Sequence, residues 1–212
     1  MRIKKFVFNY FAENTFIIWD EISREAAIID PGCSVEEEEN IIKDFILTEK
    51  LKPVYLLNTH CHIDHVLGNA FIKENYNLEF FAPKGDVFLL DLMQEHAESF
   101  GLTIKQSPKP DALLSESKKL FIGTIPIKFI STPGHTPDGY CFFFEKERIC
   151  FTGDTLFQDS IGRTDLWGGD YDTIITSIKQ KLLTLPDNII IYPGHGDNST
   201  IGYEKANNSF LV

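Results

Sequence analysis

The sequence predicts an α/β sandwich of four layers, with two mixed sheets face to face and helices outside. Three observations lead there. Strand-like apolar runs occur in both halves of the chain. Helical stretches interrupt them without alternating one for one. The Pro- and Ser-containing stretch 106–117 reads as a loop that separates no independent core, so residues 1–212 are expected to form a single domain.

The elements follow in chain order. Residues 3–9 read as a first strand. Arg2, Lys4 and Lys5 ahead of the run 6–11 resemble an export signal, but the run is short, is broken by Asn9 and lacks an Ala-x-Ala site. Apolar runs at 15–20 and 26–30 give the next two strands. Ser34-Val35-Glu36-Glu37 is a capping box, and Ile41, Ile42, Phe45 and Ile46 mark one face of the helix it opens. The acidic run 36–39 then reads as a solvated first turn favoured by the helix dipole. A strand at 54–58 precedes a helix over 86–100. Strands at 125–130, 140–144 and 149–151, a helix over 171–182 and a strand at 189–192 complete the pattern.

Composition narrows the function. The 212 residues are 43% apolar and 24% charged, a globular chain long enough to bury a core without staples. Twenty basic against 31 acidic residues give a net charge of −11, so neither a nucleic acid nor an anionic membrane surface is the expected partner. No apolar stretch approaches the roughly 18 residues of a membrane span. Cys33, Cys61, Cys141 and Cys150 lack Cys-x-x-Cys spacing and are expected as free thiols in the cytoplasm.

The histidines carry the functional argument. Three of the six fall in His60-Cys61-His62-Ile63-Asp64-His65, directly after an apolar strand. At this chain's own His and Asp frequencies, that pattern arises by chance roughly 3 times in 10,000 sequences of this length. His60 and His62 are two apart, so on an extended segment they project to one side, with Asp64 and His65 aimed by a turn at a second point. Two ligand groups offset by a turn suit a pair of adjacent metal ions. Thr132-Pro133-Gly134-His135 and Tyr192-Pro193-Gly194-His195 each place a histidine after a strand and a forced turn. Thr152-Gly153-Asp154 does the same with an acid. Imidazole and carboxylate together suit zinc, iron or manganese. Cys61 is expected to point away from its flanking histidines and pack as a small hydrophobe. His96, inside a predicted helix, is assigned no role.

At these residues the chain resembles the metallo-β-lactamase superfamily, whose signature is His-x-His-x-Asp-His followed by separate His, Asp and His ligands. The resemblance covers nearly the whole chain and implies that superfamily's αββα sandwich. It implies that one metal takes His60, His62 and His135, that the other takes Asp64, His65 and His195, and that Asp154 bridges them. A finer resemblance is to the glyoxalase II (hydroxyacylglutathione hydrolase) group. It rests on Thr59 to His65 as spelled above, on Gly153-Asp154-Thr155-Leu156-Phe157, on Pro193-Gly194-His195-Gly196 and on Ser199-Thr200-Ile201-Gly202-Tyr203-Glu204-Lys205. The chain ends at Val212, which matches the short form of that group without its C-terminal helical domain. Ser160-Ile161-Gly162-Arg163-Thr164-Asp165 stands where longer members carry a Lys- and Tyr-bearing glutathione loop.

The resemblance implies a hydrolase with two divalent ions, zinc expected and iron or manganese as alternatives, acting on a small-molecule acyl thioester. S-(2-hydroxyacyl)glutathione or a related acyl-thiol is the expected substrate. Ions about 3.5–4 Å apart would acidify a water toward ~7. Asp64 is expected to orient that nucleophile and accept its proton. Arg163 can pair with a substrate carboxylate in a bidentate way, and a salt bridge to Asp165 is the competing reading. The runner-up is a persulfide dioxygenase of the same fold, keeping one iron on His60, His135 and Asp154. Gly162-Arg163-Thr164-Asp165 favours it, and Gly194, where that family typically carries Ala, counts against it. A non-catalytic binding module is a third reading, but such a module would be expected to lose ligands and none is lost.

Overall fold

The computed structural model describes all 212 residues. The first half contains β1 (Arg2–Phe8), β2 (Glu13–Trp19), β3 (Glu25–Ile29), α1 (Glu36–Thr48), β4 (Lys52–Leu57), α2 (Ile63–Val66), α3 (Asn69–Asn75), β5 (Glu79–Ala82), α4 (Val87–Asp91), α5 (Met93–Ser99) and β6 (Ala112–Leu113). The second contains β7 (Leu120–Ile122), β8 (Ile125–Ser131), β9 (Tyr140–Phe144), β10 (Ile149–Gly153), β11 (Leu156–Phe157), β12 (Ser160–Ile161), α6 (Tyr171–Ser177), β13 (Ile190–Pro193), β14 (Ser199–Thr200) and α7 (Ile201–Asn207). One six-stranded sheet runs β1-β2-β3-β4-β5-β6 and the other β14-β13-β10-β9-β8-β7. Both are mixed: β3, β4, β5 and β6 are parallel, as are β10 and β13, while the remaining pairs are antiparallel.

The layering follows from side-chain alternation. Along β2, Phe16 and Ile18 enter the core between the sheets, whereas Ile17 and Trp19 enter the layer under the first-half helices. Along β9, Phe142 and Phe144 face the same central core, and Cys141 and Phe143 face α6 and α7. Every residue of both strands is buried, because each sheet is covered on both faces. Three apolar layers therefore hold four structural layers together, the predicted αββα sandwich. No helix is long and apolar enough to cross a membrane.

Local differences from the expected elements have physical causes. The predicted capping box does not form: Val35 is the N-cap without a side-chain bond. Glu38, not Glu37, reaches back to accept from the backbone N–H groups of Ser34 and Asn9, tying α1 to the loop after β1. The helix over 86–100 is split at Leu92, which has φ −88° and ψ 0°, into α4 and α5. After α6 the chain makes a π-helical turn, Ile178–Leu182. Ile174, Ile178 and Leu182 are all buried in the layer under the second sheet, so the apolar face of α6 continues through this turn. The stretch 106–117 is mostly loop, yet Ala112–Leu113 pairs with β5 as the edge strand.

Candidate metal centre

Five strands deliver their following residues to one end of the sandwich. Asp30 follows β3, His60 to His65 follow β4, His135 follows β8, Asp154 follows β10 and His195 follows β13. Main-chain bonds join the two sheets there: Asn14 N–H donates to Gly194 O at 2.7 Å, and Tyr140 N–H donates to Thr59 O at 2.8 Å. The segment after β4 is not simply extended. His62 is the N-cap of α2, one helical turn that swings Asp64 and His65 away from His60 and His62.

The side chains gather into two triads, each with its donor atoms within 4.8 Å of one another: His60, His62 and His135, and Asp64, His65 and His195. His62 Nδ1 lies 2.9 Å from His135 Nε2, and His65 Nε2 lies 3.3 Å from His195 Nε2. The Asp154 carboxylate faces both groups, with Oδ1 3.4 Å from His65 Nε2 and Oδ2 3.5 Å from His135 Nε2 and 3.6 Å from His195 Nε2. Asp64 Oδ2 lies 3.1 Å from His195 Nε2. Two atoms in the cluster, His60 Nε2 and Asp154 Oδ1, are buried with no hydrogen-bond partner. An unsatisfied buried polar atom costs about 1–3 kcal/mol, so the cluster is built for an occupant. Divalent ions suit a donor set of imidazole and carboxylate.

The outward ring nitrogens fix the tautomers. His135 Nδ1 donates to Arg163 O at 2.7 Å and His195 Nδ1 to Phe11 O at 3.0 Å, so both Nε2 atoms point into the cluster. His65 Nδ1 meets Asp30 Oδ2 at 3.2 Å. Asp30, His60 and His65 also lie close enough to form a ligand group. Asp30, however, is already occupied by Thr59 N–H and the Thr59 hydroxyl and sits on the outer side of the His65 ring. It orients His65 from behind. Burial, and then the neighbouring imidazole His65, push His60 well below its usual range. Burial and His135 push His62 down to about 3. Both are therefore neutral near pH 7, with lone pairs free. Burial opposes the charge on Asp154, but His65 holds it well below the carboxylate range; His65 in turn is held up against burial by Asp64 and Asp154.

Close packing around the cluster depends on glycine. A Cβ on Gly194 would fall inside contact distance of Asp154 Oδ1 and His65 Cε1. Gly194→Ala should therefore displace Asp154 from between the triads and cut metal affinity and activity roughly 10–100-fold, as loss of supporting contacts does. Metal titration of the variant checks this; unchanged stoichiometry and rate would show that the loop absorbs the methyl group.

The structure brings all seven sequence-predicted ligands together. Cys61 is buried in the apolar layer of the first sheet, and all four cysteines are free. Arg163 lines the cavity above the cluster, but its Nε and Nη2 donate to the two Asp165 oxygens at 2.7 Å each, and both side chains are exposed. His96, given no role from sequence, is on the wall of that same cavity. Three further contributors were missed: Asp30; Asn14, whose amide donates to Pro193 O and Gly196 O at 2.9 Å each; and the carbonyl of Phe11. Asp30-Pro31-Gly32 did carry a signal, being a third strand-end turn with Pro-Gly, like those before His135 and His195.

The Metallo-beta-lactamase superfamily profile matches residues 9–195. A hydroxyacylglutathione hydrolase, GloC of Haemophilus influenzae, is 40% identical over 95% of this chain and 93% of its own. A probable metallo-hydrolase, YqgX of Bacillus subtilis, is 32% identical over 92% and 90%. The crystal structure of the BLEG-1 B3 metallo-beta-lactamase superposes with a TM-score of 0.90 at 32% identity, covering 100% of both chains. That of TTHA1623 in a di-iron-bound form gives 0.87 at 32% identity, covering 98% of this chain and 100% of that one. With its sandwich of two mixed sheets and its clustered His and Asp side chains at the strand ends, this chain belongs to the metallo-beta-lactamase superfamily.

Proposed function

We propose that this chain is a binuclear metal-dependent hydrolase of acyl thioesters, formed by one domain over residues 1–212. S-(2-hydroxyacyl)glutathione is its reference substrate and zinc its expected ion. The observation that carries the proposal is the pair of triads with the Asp154 carboxylate facing both. In this reading one ion takes His60, His62 and His135, the other Asp64, His65 and His195, with Asp154 shared. The 40% identity to a hydroxyacylglutathione hydrolase supports the substrate class, and the di-iron relative keeps iron as the alternative metal.

When bound, a pair of divalent ions would lower the pKa of a water toward ~7 and polarise the thioester carbonyl. The chain supplies the rest. Asp64 lines the cavity with its Oδ2 3.1 Å from His195 Nε2, and in this reading its carboxylate would receive the proton the nucleophile gives up. Asp30, Phe11 O and Arg163 O lock the imidazole rings, so no ring has to reorient during turnover. Phe157 and Ile161 wall the cavity beside the cluster and limit the water that reaches it.

Elemental analysis of protein purified without added metal, together with thioester hydrolysis, tests this. About two transition-metal ions per chain and turnover of the thioester are expected. One iron with no second site after repletion, and oxygen uptake with a persulfide, would replace the proposal with the dioxygenase reading. The BLEG-1 relative makes a β-lactam the control substrate, with slower turnover expected.

The position of Arg163 at the cavity mouth supports a contact with a substrate carboxylate. Arg163→Ala should raise KM for the glutathione thioester several-fold and leave kcat nearly unchanged. The exposed pair with Asp165 contributes little to stability. An unchanged KM with a lower Tm would assign the guanidinium to Asp165 alone.

A further inference from the structure

Above the cluster lies a cavity of about 590 Å³. Outside the metal-facing residues its walls carry only three polar side chains, His96, Ser99 and Arg163. Arg163 is the sole Lys or Arg among them, and its fork is engaged by Asp165. The rest of the lining is apolar, and the mouth is ringed by large side chains that face water: Trp167 is 73% exposed, Phe100 56% and Leu166 37%. Phe100 stands edge-on to Phe11, with ring centroids 5.1 Å apart and the planes at 86°, a T-shaped pair on one wall of the cavity. Trp167 and Leu166 come from the loop between β12 and α6 and line the same cavity.

Exposed apolar groups gathered around one polar, reactive floor mark a surface that gains by being covered. A glutathione carrier brings two carboxylates and one ammonium. To these the mouth offers one cation already paired, on a chain of net charge −11. Recognition of charge is thus confined to the single contact that Arg163 can make, while the apolar area on offer is large.

We propose, resting on the thioester reading above, that this site selects thioesters bearing a flat apolar group. Phe100 and Trp167 are the specificity-determining residues that receive it. The apolar group can sit on the acyl side or on the thiol side of the scissile bond, and the shared requirement is an aromatic face one or two bonds from the thioester. Stacking or edge contact with Trp167 and Phe100 then holds the carbonyl over the cluster without help from a charged carrier.

The test compares four thioesters on the metal-loaded enzyme: acetyl-N-acetylcysteamine, phenylacetyl-N-acetylcysteamine, S-benzyl thioacetate and S-lactoylglutathione. At least one aryl compound should exceed the acetyl reference in kcat/KM by about tenfold or more, which is about 1.4 kcal/mol of added transition-state binding. The faster arm tells which side of the bond the group occupies. Trp167→Ala and Phe100→Ala should each shrink that ratio below about threefold. Both residues are exposed, so the variants should fold and retain the wild-type metal content, which is measured alongside. An absent aryl preference, or one that both variants keep, overturns the proposal while hydrolysis of S-lactoylglutathione leaves the thioester reading standing. Failure of the metal-loaded enzyme to cleave any of the four overturns that reading and this inference with it.

Discussion

Asp154→Ala should, in the proposed binuclear hydrolase, weaken the binding of both metals and lower thioester hydrolysis by well over 100-fold. Removing a supporting contact behind a ligand already costs roughly 10–100-fold, and Asp154 lies within 3.6 Å of ring nitrogens in both triads. The substitution also removes a buried negative charge that offsets the repulsion between two dications. No neighbouring carboxylate can take its place, since Asp64 lies with the second triad and Asp30 is occupied behind His65. Metal content after dialysis is the direct readout. Asp154→Asn, nearly equal in volume, separates loss of charge from loss of packing and should also lose metal while melting close to the wild type. Full metal content and full rate in both variants would remove Asp154 from the centre.

The strands that position the centre were legible because sheets covered on both faces produce continuous apolar runs. β9 is buried at every residue and its bounds were read as observed, whereas β2, also buried throughout, was read only from residue 15 because it opens on the polar Glu13 and Asn14. The histidines were legible for a different reason: their spacing and their repeated strand-turn context are too unusual to be incidental. What could not be read is structure that exists only through tertiary pairing. β6, β11, β12 and β14 are two residues each, too short to carry a period. The split between α4 and α5 is silent as well, because Leu89, Leu90, Met93 and Ala97 keep helical spacing straight through it.

The supporting residues were hidden by the same logic. Asp30 and Asn14 act on groups 35 and 179 positions away along the chain. Phe11 and Arg163 hold His195 and His135 through carbonyl oxygens, which any residue type could provide. Arg163 shows the difference within one residue. Its side chain drew attention in the sequence, whereas its main chain is what the centre uses in this structure. His96 shows the converse, a residue whose helical context concealed a place on the cavity wall.

Asp64→Asn should lower thioester hydrolysis by at least about 100-fold, because general acid–base help alone is typically worth ~10²–10⁴-fold, and this change removes a negative metal-facing oxygen as well. The variant is nearly isosteric. The tie from Asp64 to its surroundings that matters for folding is its carbonyl, which accepts from Asn9 Nδ2 at 3.1 Å and is untouched. In the dioxygenase reading, one iron held by His60, His135 and Asp154 does not use Asp64, so oxygen uptake with a persulfide should fall far less in the same variant. A paired assay of thioester cleavage and oxygen uptake on wild type and Asp64→Asn therefore separates the two enzymes with a single atom-for-atom exchange. Metal content sharpens the result. Loss of the second ion, with the first retained on His60, His62 and His135, is expected from the hydrolase and not from the mononuclear alternative. Hydrolysis persisting near the wild-type rate would show that the nucleophile neither needs the Asp64 carboxylate as proton acceptor nor depends on the triad it completes with His65 and His195.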